Sequence, residues 1–266
     1  MEPCELNDFF SPAQRERFLA AVNQRRSVRA YRKGPDLEQL GALNFAAARV
    51  CLPGVRIVLA ECGESLFVRV PVFGGISGAK RCACIFVKKQ QPHAMTLAGI
   101  SGEAFVLEAQ SMNVATCWVS GTYRRKLVPV EPEEDEKLAA LIALGTAAPE
   151  SPGTKRRRKA LADICLSPPA DWPHWAYQAA EAVRQAPSAV NLQPWRLNYS
   201  HEVLRLLCKR PDSLDAGIAM LHAEAAVSPQ DRHWEWGEGN CTAHLLVTEK
   251  KQAADLLPAS GFIFAS

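Results

Sequence analysis

Two arginine-rich segments carry the side chains best suited to binding an anion. The first is Arg25-Arg26-Ser27-Val28-Arg29, directly after a predicted helix, and the second is the basic stretch at 155–159. Guanidinium groups bind phosphate bidentately, and the hydroxyl of Ser27 supplies one more hydrogen bond. Each segment alone is also typical of a solvated basic surface. The second could also bind nucleic acid, but no interleaved aromatic residues or nucleic-acid motif accompany it, so we expect no nucleic-acid partner.

A loop over residues 186–195 offers polar side chains of a different kind. Two prolines restrict its backbone, and it carries Ser188, Asn191 and Gln193. Carboxamides both donate and accept hydrogen bonds, which suits a ring edge with alternating carbonyl and N–H groups. Taken alone, the segment is equally well explained as a polar connection between a helix and a strand.

Other chemically interesting residues are better explained as structural. The glycine-rich stretch at 74–80 lacks the spacing of a phosphate-binding loop, so we expect a turn there. His222 and Glu224 have no Cys-x-x-Cys partner, which argues against zinc, and we expect His222 to be packed or on the surface. Asp215 is expected to interact with the dipole of its helix. The segment 234–236 is either an aromatic lid or interface packing.

Hydrophobic periodicity and turn residues predict the elements that position these segments. Asp36 is expected to be an N-cap, and Asn113 to end a helix in the left-handed conformation. The acidic stretch at 131–136 is predicted to be a solvated helix start. Helices are predicted over 12–23, 36–50, 101–112, 175–185 and 214–226, and strands over 55–60, 67–72, 82–87, 114–119, 195–200 and 243–248.

The order of these elements repeats along the chain. A helix leading to the strand at 55–60 parallels a helix leading to the strand at 195–200, and a second helix–strand pair follows in each half. We interpret this pattern as a diverged internal duplication, with one half at 1–160 and the other at 161–266.

Composition restricts the class of protein. The 266 residues carry a net charge of +3 and 48% hydrophobic residues, which is typical of a globular chain. The nine cysteines include no Cys-x-x-Cys pair and lie mostly in apolar stretches, so we expect neither disulfides nor a metal site. The N-terminus lacks the apolar region of a signal peptide, and no apolar stretch approaches the length of a membrane span. We therefore expect a cytoplasmic protein without a membrane partner.

Together, the three segments resemble the motifs of the FMN-dependent nitroreductase family. The family's Arg-x-Ser-x-Arg opening matches residues 25–31, and its central Gly-Leu-Gly-x-x-Trp strand matches 113–121 except that Asn113 replaces glycine. Leu144-Gly145 and a later Arg-x-Arg match the family's ending. The Pro-Ser-x-x-Asn-x-Gln-Pro-Trp element occurs at 187–195 instead of following the opening arginines. The chain is most similar to a smaller branch in which the two subunits are fused.

The resemblance implies an α+β fold in which two nitroreductase-like halves form a pseudo-dimer, with helices covering mixed sheets. Ordinary family members are homodimers with two FMN sites, each built from both subunits. A fused pair that keeps each element once retains a single site, and we expect a monomer. The implied FMN-binding residues are Arg25, Arg26, Ser27, Arg29, Arg156 and Arg158 at the phosphate, Ser120 and Gly121 at the flavin N5 or O4 edge, and Pro187, Ser188, Ala189, Asn191 and Gln193 at the isoalloxazine and ribityl groups.

The resemblance also implies an activity. NAD(P)H passes a hydride to FMN, and a small-molecule acceptor such as a nitroaromatic or quinone then takes the electrons. The flavin carries the chemistry, so we expect no catalytic side chain. Two alternatives remain open: an FMN-binding protein without reductase turnover, serving as a flavin store or sensor, and a flavin-fragmenting enzyme.

Overall fold

The computed structural model describes residues 3–4, 10–69, 75–149, 157–227 and 232–247. In chain order the elements are β1 (Pro3–Cys4), α1 (Pro12–Gln24), β2 (Tyr31–Lys33), α2 (Leu37–Val50), β3 (Val55–Glu61), β4 (Arg81–Lys88), α3 (Ala94–Ser111), β5 (Ala115–Val119), β6 (Glu136–Ala147), α4 (Leu161–Ile164), α5 (His174–Gln185), β7 (Trp195–Ser200), β8 (Val203–Cys208), α6 (Leu214–Ala226), β9 (Arg232–Trp236) and β10 (Cys241–Val247).

These strands form two five-stranded sheets, with helices packed against them. The first sheet has the order β2-β6-β4-β3, and β5 also pairs with β6. The second has the order β1-β9-β10-β8-β7. Every ladder between these strands is antiparallel, and parallel pairing occurs at single bridges such as Ser27 with Thr116. The predicted α+β class is confirmed.

The two halves share one arrangement of elements. In the first half α2, β3, β4, α3, β5 and β6 follow in order, and in the second half α5, β7, β8, α6, β9 and β10 do the same. In each half the first two strands pair with each other, and the second and third strands both pair with the last one. The resulting orders are β3-β4-β6-β5 and β7-β8-β10-β9. The predicted repetition of element order is therefore present in the structure.

Local chemistry sets the starts of the first two helices. Ser11 and Gln14 form a capping box at α1, with Pro12 at the first helical position. Asp36 accepts a hydrogen bond from the Gln39 N–H at 2.8 Å, and the Gln39 side chain accepts from the Asp36 N–H at 3.1 Å. Each pair satisfies two amide donors that a helix start leaves free. The prediction of Asp36 as an N-cap is confirmed.

The central helices of the two halves, α3 and α6, cross at backbone contact. A Cβ on Gly217 would lie 2.0 Å from the carbonyl oxygen of Thr96, and a Cβ on Gly99 would lie 2.3 Å from that of Leu214. Only glycine permits this approach. The apolar core that surrounds the crossing is continuous through both halves, from Phe18 on α1 to Leu245 on β10.

Several sequence-based predictions differ from the structure. The predicted strand at 67–72 is wrong where it is described, because Phe67 makes only a single bridge to Tyr123 and 70–72 lie outside the described residues. The predicted helix start at 131–136 is wrong, because Glu136 begins β6 and is buried against Arg56, with Oε1 2.9 Å from Nε. The helix predicted from Ser101 begins at Ala94.

The missed boundary of α3 has a physical cause. Nearly every residue from Ala94 to Ala109 is buried, so the helix is apolar on all sides and has no amphipathic period. Five strands, β1, β2, β6, β8 and β9, were also not predicted. Among the described residues, no helix is long and apolar enough to cross a membrane.

Candidate functional site

Arg25 lies at the end of α1 and points into the protein. Its backbone N–H donates to the Ala21 carbonyl at 2.8 Å, and its side chain is only 2% exposed. The guanidinium Nε is 3.6 Å from Oε1 of Glu103 on α3, and Nη1 is 3.5 Å from Oγ of Ser27. Arg26 and Arg29 are exposed. The segment therefore divides into one buried cation and two that face solvent.

The residues after Arg25 run along the edge of β5. The Val28 N–H donates to the Thr116 carbonyl at 2.9 Å. On its other side the segment pairs with the glycine-rich stretch, because Ser77 bonds both Arg29 and Tyr31 through their backbones at 2.9 Å. Gly78 has φ +68°, and a Cβ there would lie 2.0 Å from the Tyr31 carbonyl oxygen. The glycine is thus required for this close pairing.

Arg158 brings a second cation to the same region from far along the chain. Its Nη1 donates to Oδ1 of Asn191 at 2.5 Å, and Nη2 donates to the Gln185 carbonyl at 2.9 Å. Its buried Nε has no hydrogen-bond partner among the described residues. Burial, and after it the positive charge of Arg25, lower the pKa of Arg158 to about 10. Arg25 and Arg158 are therefore close enough to repel each other.

The loop at 187–193 has an unusual backbone. Val190, Asn191 and Gln193 have φ values of 43°, 57° and 49°. Positive φ in a β-branched residue is a true outlier, and such strain persists only where the surroundings impose it, often at functional sites. The side chain of Val190 is 61% exposed, so burial of an apolar group does not explain the conformation. This loop is a candidate ligand-contacting segment on geometric grounds.

Polar side chains of this loop bind the basic segment that precedes α4. The Asn191 amide donates to the Arg157 carbonyl at 2.9 Å, and Oε1 of Gln193 accepts from the Lys159 N–H at 2.9 Å. Ser188 Oγ accepts from the Gln193 N–H at 2.8 Å. Gln193 is 3% exposed, so its amide holds the two segments together rather than facing solvent. The structure thus joins two of the three segments that the sequence singled out.

Other residues of the loop are placed by α6 and by the core. The Ala189 N–H donates to Oδ1 of Asp215 at 3.0 Å, and Asp215 lies in the first turn of α6 as expected. Burial raises the pKa of the Asp215 carboxyl. Pro187 is buried, whereas Ala189 is exposed.

Glu103 is a functional candidate that sequence reasoning missed. It is fully buried on α3, where its Oε2 accepts from Trp118 Nε1 at 2.7 Å and its Oε1 lies 3.0 Å from His222 Nε2. The other ring nitrogen of His222 lies 3.0 Å from the Ala182 carbonyl, which can only accept, so that nitrogen carries a proton. One further proton must therefore lie between Nε2 and Glu103. The isolated acid within an apolar stretch was the available signal.

The remaining predicted residues lie just after β5 or outside the described residues. Ser120 and Gly121 follow β5 and are exposed. Thr116, which pairs with the arginine segment, is four residues earlier, or about 13 Å along an extended strand. A Cβ on Gly121 would meet no atom within 4 Å, so open space surrounds it. Arg156 lies outside the described residues.

In the aromatic segment 234–236, Trp234 does not form a lid. Trp234 is 1% exposed, and its Nε1 donates to Oε2 of Glu224 at 2.9 Å. Trp236 stacks on His93, with ring centroids 4.0 Å apart. Trp234 is therefore packed and is not a lid, and of the two places expected for His222, packed or on the surface, its burial shows the packed one.

Comparison with known proteins identifies the family. A family model described as "Putative TM nitroreductase" matches residues 17–227, which is most of the chain. The chain belongs to this nitroreductase family. A comparison with curated proteins gives no match.

Several solved structures are similar to this chain. A "putative nitroreductase" from Thermotoga maritima is 21% identical, with a TM-score of 0.57, covering 86% of this chain and 93% of that one. An FMN-bound nitroreductase from Bacteroides fragilis is 21% identical (TM-score 0.43) and covers 54% of this chain and 95% of its own. The FMN-dependent nitroreductase NfnB from Mycobacterium smegmatis, in complex with NADPH, is 17% identical (TM-score 0.43) and covers 57% and 97%. The Thermotoga structure shows that the nitroreductase-like fold extends over nearly the whole chain.

Proposed function

We propose that this chain is an FMN-dependent oxidoreductase that takes a hydride from NADH or NADPH and passes electrons to a small-molecule acceptor, such as a nitroaromatic or a quinone. Family membership supports the general class of reaction. The observation that carries the cofactor assignment is the convergence of Arg25 and Arg158, which come from distant parts of the sequence and lie close enough that the charge of Arg25 lowers the pKa of the partly buried Arg158. Like charges are brought together in this way where an anion is to be bound.

The charges around Arg158 support an anionic ligand. Arg184, which also lowers the pKa of Arg158, is neutralised by Glu181 at 2.8 Å. Glu103 faces Arg25 but also shares a proton with His222. Among the ion pairs of the described residues, Arg158 has no carboxylate partner. The charge of Glu103 offsets part of the charge of Arg158, and a phosphomonoester, with a charge of about −1.5 to −2, would complement the positive charge that is left on the two arginines.

The donor groups present fit the phosphate of FMN. The buried Nε of Arg158 has no partner, and the Ser27 hydroxyl lies beside Arg25. Arg26 and Arg29 are exposed on the same segment and add positive charge. We assign the phosphate to a site formed by Arg25, Arg26, Ser27, Arg29 and Arg158. Arg156, on the same basic segment as Arg158, stays a prediction.

The strained loop would position the ring system. Ser188, Ala189 and Asn191 are partly or fully exposed, whereas Pro187 and Gln193 are buried and support the loop from beneath. Ser120 and Gly121, with open space around Gly121, would offer backbone N–H groups to the flavin edge. Bound FMN supplies reversible hydride acceptance, so no side chain of the chain has to act as nucleophile or general base.

We further propose that the chain is a pseudo-dimer that arose by internal duplication and binds one FMN per chain as a monomer. The matching order of four strands in each sheet, β3-β4-β6-β5 and β7-β8-β10-β9, and the close crossing of α3 and α6 support this proposal. Arg25 belongs to the first half and the loop at 187–193 to the second, so one site uses both. All eight described cysteines are free thiols, which is typical of a reducing compartment and supports a cytoplasmic location.

Anaerobic addition of NADPH or NADH to the FMN-loaded protein tests this function. Rapid bleaching of the flavin absorption, followed by its return on addition of a quinone or nitroaromatic, is the expected result. Bound flavin that resists bleaching by both nucleotides would contradict reductase activity and favour a flavin store or sensor. Slow oxygen-dependent loss of the chromophore would favour a flavin-fragmenting enzyme instead.

A further inference from the structure

Three cysteines lie together on one face of the first sheet, away from the arginine cluster. Cys82 and Cys84 are alternate residues of β4, so their side chains share a face. Cys62 directly follows β3, and its N–H donates to the Lys80 carbonyl at 3.0 Å. Because Ala60 pairs with Cys82 in the ladder, Cys62 is the diagonal neighbour of Cys82 on the same face. The thiols of Cys62 and Cys84 both raise the pKa of Cys82, and the Cys62 thiol donates to the Ala79 carbonyl at 3.8 Å.

Only one of these thiols can be reached from solvent. Cys82 and Cys84 are fully buried, whereas Cys62 is partly exposed and lines a groove of about 470 Å³. Lys80, Arg81, Glu61 and Glu64 line the same groove, and Arg81 forms an ion pair with Glu61 at 2.6 Å. The groove is large enough to admit a small polar oxidant, and the second thiol lies behind the first.

The surroundings of Cys62 favour its thiolate form. The hydrogen bond from Cys82 lowers the pKa of Cys62, the charge of Arg81 lowers it further, and burial opposes both. The thiolate is the reactive form of cysteine. Cys51 provides a contrast within the same chain, because it is also partly exposed but burial raises its pKa and its thiol donates to the Ala47 carbonyl at 3.0 Å.

We propose that Cys62 and Cys82 form a peroxide-reactive dithiol, in which Cys62 attacks the oxidant and Cys82 resolves the product as a disulfide. Exposed thiolates next to a resolving cysteine are the usual sites of reversible oxidation. The proposal does not depend on the proposed flavin chemistry, because the oxidant is a hydroperoxide supplied from solution.

The chemistry balances as two displacements. The Cys62 sulfur attacks one peroxide oxygen, the O–O bond breaks, and the leaving oxygen takes a proton to become an alcohol or water. The sulfur of Cys82 then attacks the Cys62 sulfenic acid, the S–O bond breaks, and water leaves. In total, two thiols and one hydroperoxide give one disulfide, one alcohol or water molecule and one water molecule. A disulfide requires Cβ atoms about 3.5–4.5 Å apart, so closing this diagonal pair requires Cys62, one residue beyond β3, to move toward Cys82.

Peptide mapping after treatment of the full-length protein with hydrogen peroxide tests the proposal. Trypsin releases Cys62 on residues 57–69 and Cys82 on residues 82–88, so the disulfide links these two peptides. The link is expected in the parent and in Cys84→Ala, and dithiothreitol should remove it. In Cys82→Ala, the sulfenic acid at Cys62 should persist long enough to be captured by dimedone.

The matched control is Cys51→Ser, which removes a thiol of similar exposure that lacks a thiol neighbour. Its peroxide consumption should equal that of the parent, whereas Cys62→Ser should abolish the fast phase. Equal labelling of Cys51 and Cys62 would overturn the assignment of the reactive thiol. Conversion of Cys62 to sulfinic acid in the parent, without the cross-linked peptide, would overturn the role of Cys82. Far-UV circular dichroism checks that each variant is folded.

Discussion

Replacement of Arg158 by alanine is the change that bears most directly on the proposed phosphate site. The variant Arg158→Ala removes a partly buried cation that has no carboxylate ion-pair partner among the described residues, together with its hydrogen bonds to Asn191 and Gln185. A hydrogen bond to a charged group is worth about 1.5–3 kcal/mol. Loss of one such bond to the phosphate therefore weakens FMN binding by roughly 10- to 150-fold in Kd.

The pKa of Arg158 adds a second, independent signature. Because this pKa is lowered to about 10 in the free protein, and a bound dianion favours the charged guanidinium, FMN affinity should be constant between the second phosphate pKa of about 6 and that pH, and fall above it. The fall should approach tenfold per pH unit in Kd, because each FMN bound then requires one proton. The variant Arg158→Ala lacks the group, so this component of the pH dependence should be absent from it.

Quenching of FMN fluorescence measures both effects. Arg49→Ala is the matched control, since it removes the same charge from an exposed side chain that lies over the ring of Phe45. The control should bind FMN as the parent does, and Arg158→Lys should lie between the parent and Arg158→Ala. Unchanged FMN affinity in Arg158→Ala, with the same pH profile as the parent, would refute the phosphate assignment.

Three further changes test the elements that hold the site. Gly217→Ala places a Cβ 2.0 Å from a backbone oxygen and should destabilise the protein by about 1–3 kcal/mol in urea unfolding. In the matched control Gly41→Ala the new Cβ meets no atom within 4 Å, and the variant should be more stable by about 0.5–1 kcal/mol. Equal effects of the two changes would argue against the close crossing of α3 and α6. Val190→Asn should stabilise the protein by about 1 kcal/mol, because asparagine tolerates the positive φ, and a loss of stability would show that the loop is not strained. Burial raises the pKa of Asp215 above 3.8, so the native state binds the proton more tightly than the unfolded chain, and stability falls as pH rises through this window. In urea unfolding across this range, Asp215→Asn should gain stability relative to the parent only as pH rises, and a gain independent of pH would contradict the assigned shift.

Features set by neighbouring residues were predictable from the sequence. The N-cap at Asp36 follows from its own side chain and that of Gln39, and Asn113 adopts the expected left-handed conformation, with φ 57°. The starts of α1, α5 and α6 depend on similarly local signals. The strand at 195–200 was found because turn residues bound it.

Features set by distant contacts were not predictable. The loop at 187–193 was recognised as polar, but its binding of the segment around Lys159 required the fold. Glu103 was missed because its role depends on its contacts with Arg25, at the end of α1, and with His222, on α6. The helix that carries Glu103 was placed too late in the sequence, since a helix buried on all sides has no periodic pattern to mark its start.

The most direct test of the central claim compares the binding of FMN with that of riboflavin, which has the same ring system and no phosphate. If the cluster of Arg25 and Arg158 binds the phosphate, FMN should bind at one site per chain and riboflavin much more weakly, and the difference should shrink in Arg158→Ala and with added inorganic phosphate. Equal affinity for the two flavins, or binding of neither, would contradict the account.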